Sequence, residues 1–204
     1  MNLLESLTPE LLEARSLHWD HPPLNWAPLP GGGIRVVVQP EVDYFRDPAG
    51  IHNKDDAPYL WLAVTGDFVA QAHVRPAWAT TWDAGVLMAR HDAQHYAKFC
   101  YESTDLGTTA AVSVVTNGRS DDANGVDLTA PDLWLQIFRV GDVFGLHYAL
   151  DGRNWRMVRR FHLPVPPEIK IGLVAQCPAG PGVTIDFLSF SLEHRTIQQL
   201  RAGV

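Results

Sequence analysis

The sequence predicts an all-β protein, an antiparallel β-sandwich. Three observations carry this. Apolar and polar residues alternate with period two in Phe68–Val74, Ala97–Tyr101 and Phe144–Leu150, the spacing of strand side chains. About ten to a dozen short segments of this kind recur with Gly, Asp, Asn and Pro between them, as in sandwiches and barrels. No long helical pattern alternates with them, which excludes a parallel α/β sheet. The 204 residues suit one domain over the whole chain, with a helical extension at 1–18 and a tail at 193–204.

In chain order, Thr8-Pro9-Glu10 starts a short helix: a capping Thr, Pro at the first helical position, an acid in the first turn. A proline-rich ramp, Pro22 to Pro30, ends at Gly31-Gly32-Gly33 and enters a strand over Ile34–Gln39. Asp47–Pro58 reads as a long loop. Tyr59–Thr65 and Phe68–Pro76 read as a hairpin around Gly66-Asp67. Trp82–Arg90 and His95–Glu102 form a second strand pair, followed by a strand at Ala111–Thr116. Asn117–Asp132 reads as another long loop. Leu133–Val140 and Phe144–Leu150 pair around Gly141-Asp142, and Asp151-Gly152-Arg153-Asn154 turns into Trp155–Leu163. Ile169–Gln176 and Val183–Leu192 close the fold, and Glu193–Ala202 suits a short helix.

The composition is 46% hydrophobic and 19% charged, enough to bury a core. A net charge of −7 argues against nucleic acid and anionic membrane surfaces as partners. The basic cluster Arg153, Arg156, Arg159 and Arg160 is read as a solvated face. Cys100 and Cys177 sit in strand patterns and are expected to be free thiols. The first residues lack a signal-peptide pattern and no apolar run reaches membrane-spanning length, so a cytoplasmic setting is expected. Neither histidine nor cysteine spacing suggests a metal. The acids of Asp55-Asp56, Asp121-Asp122 and Asp127 have oxygens suited to Ca²⁺ but read as turns. No cofactor is expected.

The central stretch is Trp82–Glu102. In its second strand, Ala97, Phe99 and Tyr101 share one face and Tyr96, Lys98, Cys100 and Glu102 the other. Only the first face is expected to pack into the core. Lys98 and Glu102 lie about 13 Å apart along the strand, at ~3.3 Å per residue, so each must meet groups from neighbouring strands. Gln71, His73 and Arg75 make a second polar strand face, and His147 lies opposite Phe144, Leu146 and Tyr148. Of the tryptophans, Trp78 and Trp82 precede a strand and offer flat rings for a sugar.

Several motifs in order resemble the domain of unknown function 1349 family, which includes fungal regulation-of-enolase proteins. These are Asp43-Tyr44-Phe45, Gly66-Asp67-Phe68, Asp83-Ala84-Gly85-Val86-Leu87-Met88, and Lys98 with Glu102. Further on come Thr116 with Ser120-Asp121, Asp151-Gly152-Arg153-Asn154-Trp155, and Val183-Thr184-Ile185-Asp186-Phe187. The sequence departs from the pattern at Asp122, where the family has an aromatic residue, and at Phe99-Cys100, where a glycine is common. The resemblance spans about Trp19 to Leu192. It implies a concanavalin A-like sandwich, a jelly roll, but no settled activity.

The expected function is therefore a non-catalytic binding or regulatory domain with a polar concave face. Its ligand would be a carbohydrate or small metabolite, held by His73, Asp83, Lys98, Glu102 and His147. The alternative is a carbohydrate-active enzyme using the same face, a polysaccharide lyase or a glycoside hydrolase. The Gln71-x-His73 strand faintly resembles the lyase arrangement, in which a histidine removes a proton. The carboxylate spacing of a retaining glucanase is absent. A protein partner or a homo-oligomer is a third class.

Overall fold

A computed structural model describes residues 1–204. Thr8 caps α1 (Pro9–Ala14), its hydroxyl accepting from the Leu11 amide. Three short strands follow, β1 (His18–Asp20), β2 (Asn25–Pro28) and β3 (Ile34–Val38). A small hairpin, β4 (Tyr44–Arg46) with β5 (Asn53–Asp55), precedes β6 (Tyr59–Thr65), β7 (Phe68–Ala77) and β8 (Ala84–Arg90). Next come β9 (His95–Ser103), β10 (Thr109–Asn117), β11 (Arg119–Asp127) and β12 (Leu133–Val140). The last four are β13 (Val143–Ala149), β14 (Arg156–His162), β15 (Glu168–Gln176) and β16 (Val183–Glu193).

Fourteen of the sixteen strands form two seven-stranded antiparallel sheets. The first runs β1-β6-β15-β8-β9-β10-β11 and the second β14-β13-β12-β7-β16-β3-β2. One cluster of 45 buried residues fills the space between them and continues onto the outer face of the first sheet through Tyr44, Tyr59 and Tyr96. Phe99 and Tyr101 of β9 enter it from the first sheet. Phe68, Ala70, Ala72 and Val74 of β7, with Leu133, Leu135 and Ile137 of β12, enter it from the second. Alternation therefore placed the core residues, because a strand facing another sheet must bury every second side chain.

Four sequence expectations need correction. Gly66-Asp67 does not join a hairpin: β6 pairs with β1 and β15, whereas β7 pairs with β12 and β16, so the turn crosses between sheets. The Asp47–Pro58 loop contains β5, and the Asn117–Asp132 loop contains β11. Strand β11 is an edge strand paired only with β10 and almost wholly exposed, so no apolar period marks it. The tail is not a helix. It docks on the outer face of the second sheet, where Ile197 covers Val69 and Phe138 in a separate apolar cluster. The Gln136 amide donates there to the Gly203 carbonyl at 3.0 Å.

Of the clustered arginines, Arg153, Arg156 and Arg160 are exposed as expected, whereas Arg159 is half-buried. Arg156 and Arg160 are exposed on β14, the free edge of its sheet, and charge on an edge discourages strand addition. Arg159 reaches Asp121 at 2.9 Å.

Both cysteines are free and buried, and burial pushes both thiols up. The folded protein should resist a thiol-specific reagent, whereas two thiols should titrate after denaturation. Rapid labelling of the native state, or a mass two hydrogens low, would contradict this placement.

Gly172 makes a sharper test. A methyl group there would run into the Leu60 carbonyl oxygen, which the pairing of β6 with β15 holds in place. Gly172→Ala should therefore cost about 1–3 kcal/mol, read from the shift of a denaturation midpoint.

Candidate functional site

Strand β9 is buried on both faces, unlike the sequence reading. The reason is the β4–β5 hairpin, which lies over the outer face of the first sheet. Tyr44 packs edge-on against Tyr59 and Tyr96 at 6.1 and 6.3 Å between ring centroids. The hairpin is tied down by Arg90 to Asp55 at 3.0 Å and by the Arg46 amide to the Ser120 hydroxyl at 2.9 Å. Farther along the same face, Lys170 meets Asp20 at 2.6 Å and sits over the Trp61 ring.

Asp43, at the root of the hairpin, explains how Lys98 can be buried. The Lys98 ammonium donates to Asp43 Oδ1 at 2.7 Å and to Gln176 Oε1 at 3.0 Å. Burial opposes its charge, but the Asp43 carboxylate beside it wins and lifts its pKa above the ordinary lysine value. Gln176, on β15, also donates to the Trp82 carbonyl at 3.0 Å. One amide thus links the buried ion pair to the Trp82 loop.

Beside this pair lies a cavity of about 590 Å³, within the usual range for small-ligand sites. Lys98, Gln176 and Glu102 line it, with Asp122 and Asn124 from β11, and Phe45 and Trp82 supply flat rings. Trp82 is exposed and held at a positive φ of 69°, a costly conformation for a non-glycine residue. Its amide donates to the Ser103 carbonyl at 2.6 Å. Glu102 is only 7% exposed, yet no protein group hydrogen-bonds its carboxyl. Burial, with Asp43, Asp122 and Asp105 nearby, pushes its pKa up to about 8 against the pull of Lys98. At neutral pH it therefore holds a proton and offers a donor as well as an acceptor.

The structure brings Lys98 and Glu102 together at this cavity and sets the other three candidates apart from it. Asp83 is buried behind the Trp82 loop, where its carboxylate accepts from the Ala79 and Thr80 amides at 2.9 and 2.8 Å. It fixes the loop rather than lining the cavity. His73 lies on the outer face of the second sheet, bonded to Asp132 at 2.9 Å and stacked on Trp134. His147 lies on that face too, wholly buried beneath the tail, with Nε2 3.2 Å from the Arg201 carbonyl. Burial pushes its pKa down. The two polar faces read from the sequence thus belong to opposite sheets.

The sequence reading missed Asp43, Gln176, Asp122, Asn124 and Asp105 as lining residues. Asn117-Gly118 was an available signal for β11, because this dipeptide favours tight hairpin turns. Gly118 takes φ +78° between the two paired strands. Asp43 stands 55 residues from Lys98, and no local pattern joins them.

Two antiparallel seven-stranded sheets, one covered on its outer face by a hairpin beside a polar cavity, define an antiparallel β-sandwich. The chain belongs to the family described as "Protein of unknown function (DUF1349)", whose model matches residues 19–195. No curated protein matches it. Among solved structures, it resembles a functionally unknown protein from Saccharomyces cerevisiae at 25% identity and a TM-score of 0.82. That match covers 89% of this chain and 97% of the other. It also resembles the carbohydrate binding module CBM66 from Bacillus subtilis at 16% identity and a TM-score of 0.51, covering 86% and 95%. A GH43 protein from Bacillus licheniformis matches at 13% identity and a TM-score of 0.67. There 94% of this chain corresponds to 38% of the other. The last two likenesses are of fold.

Proposed function

We propose that this chain is a non-catalytic binding domain whose cavity beside Lys98 and Glu102 holds a polyhydroxylated small molecule, in first place a carbohydrate. One observation carries the reading: Glu102 is only 7% exposed, lines the cavity and takes no hydrogen bond from the protein, so its carboxyl is left free for whatever occupies the cavity. The surrounding groups suit hydroxyls. Gln176 and Asn124 offer amides, Asp122 an acceptor, and Glu102 a donor at neutral pH, while Trp82 and Phe45 offer faces for a sugar ring. Similarity of fold to a carbohydrate binding module supports the same class. Free, buried cysteines support a reducing, cytoplasmic setting.

A second reading, a carbohydrate-active enzyme, is favoured by the same Glu102, since a carboxyl that keeps its proton near neutrality is suited to act as a general acid. One experiment separates the two. The protein is titrated with a panel of mono- and disaccharides, and binding is followed by calorimetry and amide chemical shifts. Binding without release of new reducing ends supports the binding domain. Turnover lost in Glu102→Gln supports the enzyme. No perturbation of cavity residues by any saccharide would overturn both.

A further inference from the structure

The charges around the cavity restrict its occupant further, an inference that rests on the reading of this cavity as the ligand site. The lining carries the acids Asp43, Glu102, Asp105 and Asp122 and the bases Lys54, Lys98 and His52. The bases are already engaged. Lys98 pairs with Asp43, Lys54 donates to the Glu41 carbonyl at 2.6 Å and lies 3.6 Å from Asp56, and His52 meets Asp47 at 3.1 Å. Glu102, Asp105 and Asp122 have no cationic partner within ion-pair distance. Cys100 and Tyr96, the remaining titratable side chains on the Glu102 face of β9, are buried and kept neutral. An anion placed here would meet the unpaired charges of Asp105 and Asp122, and a third at Glu102 if that carboxyl gave up its proton. A cation would relieve them.

The acids are not gathered closely enough for a metal ion, since no group of three or more metal-binding side chains converges anywhere in the chain. They are spread around the wall of a cavity of about 590 Å³, which suits a larger organic cation. Trp82 adds an exposed indole on the same lining, and aromatic faces attract ammonium groups. We propose that the cavity recognises an amine-bearing carbohydrate or polyol, with Glu102 receiving its ammonium group and Trp82 lying alongside. The proton balance is simple. The free protein holds a proton on Glu102, the incoming R–NH₃⁺ keeps its own, and the Glu102 proton leaves to solvent as the ion pair forms.

The test uses three probes with one six-carbon chain: 1-amino-1-deoxysorbitol, sorbitol and gluconate, ending in an ammonium, a hydroxyl and a carboxylate. Butylamine serves as an amine without hydroxyls. Calorimetry at pH 7 in two buffers of different ionisation heat counts protons, and chemical shifts of the Trp82 indole and the Gln176 and Asn124 amides locate the site. The aminated probe should bind at least tenfold more tightly than sorbitol, releasing about one proton, with gluconate silent. Glu102→Gln should abolish the preference and the proton release. Asp105→Asn and Asp122→Asn, at exposed positions that do not threaten folding, should each weaken the aminated probe severalfold. Equal binding of the aminated probe and sorbitol, without proton release, would overturn the amine preference and leave the carbohydrate reading standing. Butylamine binding with Glu102-dependent proton release, while polyols and sugars stay silent, would keep ammonium recognition and remove the carbohydrate. Silence from every probe would overturn both.

Discussion

Glu102→Gln is expected to make the protein more stable than the wild type at pH 9 by a few kcal/mol, and nearly equal to it at pH 5. In the unfolded chain this carboxyl titrates near 4.5, and in the folded protein near 8. Below the lower value both states hold the proton and the group contributes no pH dependence. Between the two values the folded protein keeps its proton while the unfolded chain has released it, so stability falls as pH rises. Above the upper value both are ionised and the loss is complete. Each unit of difference is worth about 1.4 kcal/mol, which makes the total several kcal/mol in order of magnitude. Glutamine has the same shape and no charge, so the falling limb should vanish. Denaturant midpoints of both proteins at the two pH values measure this, and groups common to both cancel in the difference. Parallel pH dependences in the two proteins would show that Glu102 titrates as an ordinary surface acid.

Lys98→Ala is expected to cost about 3–5 kcal/mol, the usual penalty for removing one partner of a buried ion pair. In a protein of this size that corresponds to a fall in Tm of roughly 6–20 °C. The penalty arises because Asp43 is left facing a buried site with no counter-charge. Asp43 also accepts from its neighbour's amide, Tyr44, at 2.7 Å, a bond that asparagine can keep. The double variant Lys98→Met with Asp43→Asn removes both charges and retains that bond, and should recover most of the loss. If the double variant melts as low as Lys98→Ala, the loss comes from packing rather than from a stranded charge.

These two residues were legible in the sequence because a lysine and a glutamate stand on one face of an otherwise apolar strand, and such groups are rarely buried without a purpose. Period-two alternation likewise gave the inward faces of β7, β9 and β13. It could not say which sheet a face belongs to. For that reason His73 and His147 were grouped with Lys98, although β7 and β13 lie in the other sheet. Strand β11 escaped notice because an edge strand needs only backbone pairing, so Ser120 to Asp127 carry no buried period. Burial of the second face of β9 escaped notice because its cover, the β4–β5 hairpin, comes from about fifty residues earlier and contains only two three-residue strands.

Trp82 has an optical consequence. Of the seven indoles in the chain, it alone is largely open to solvent, at 45% exposure, and it stands on the cavity lining. Its emission should be the reddest component of the native spectrum and the first to be quenched by iodide or acrylamide. Any occupant that covers the ring will shift that component to the blue and shield it from the quencher. The unmodified protein can therefore report its own occupancy in a fluorimeter, with Trp82→Phe as the dark control.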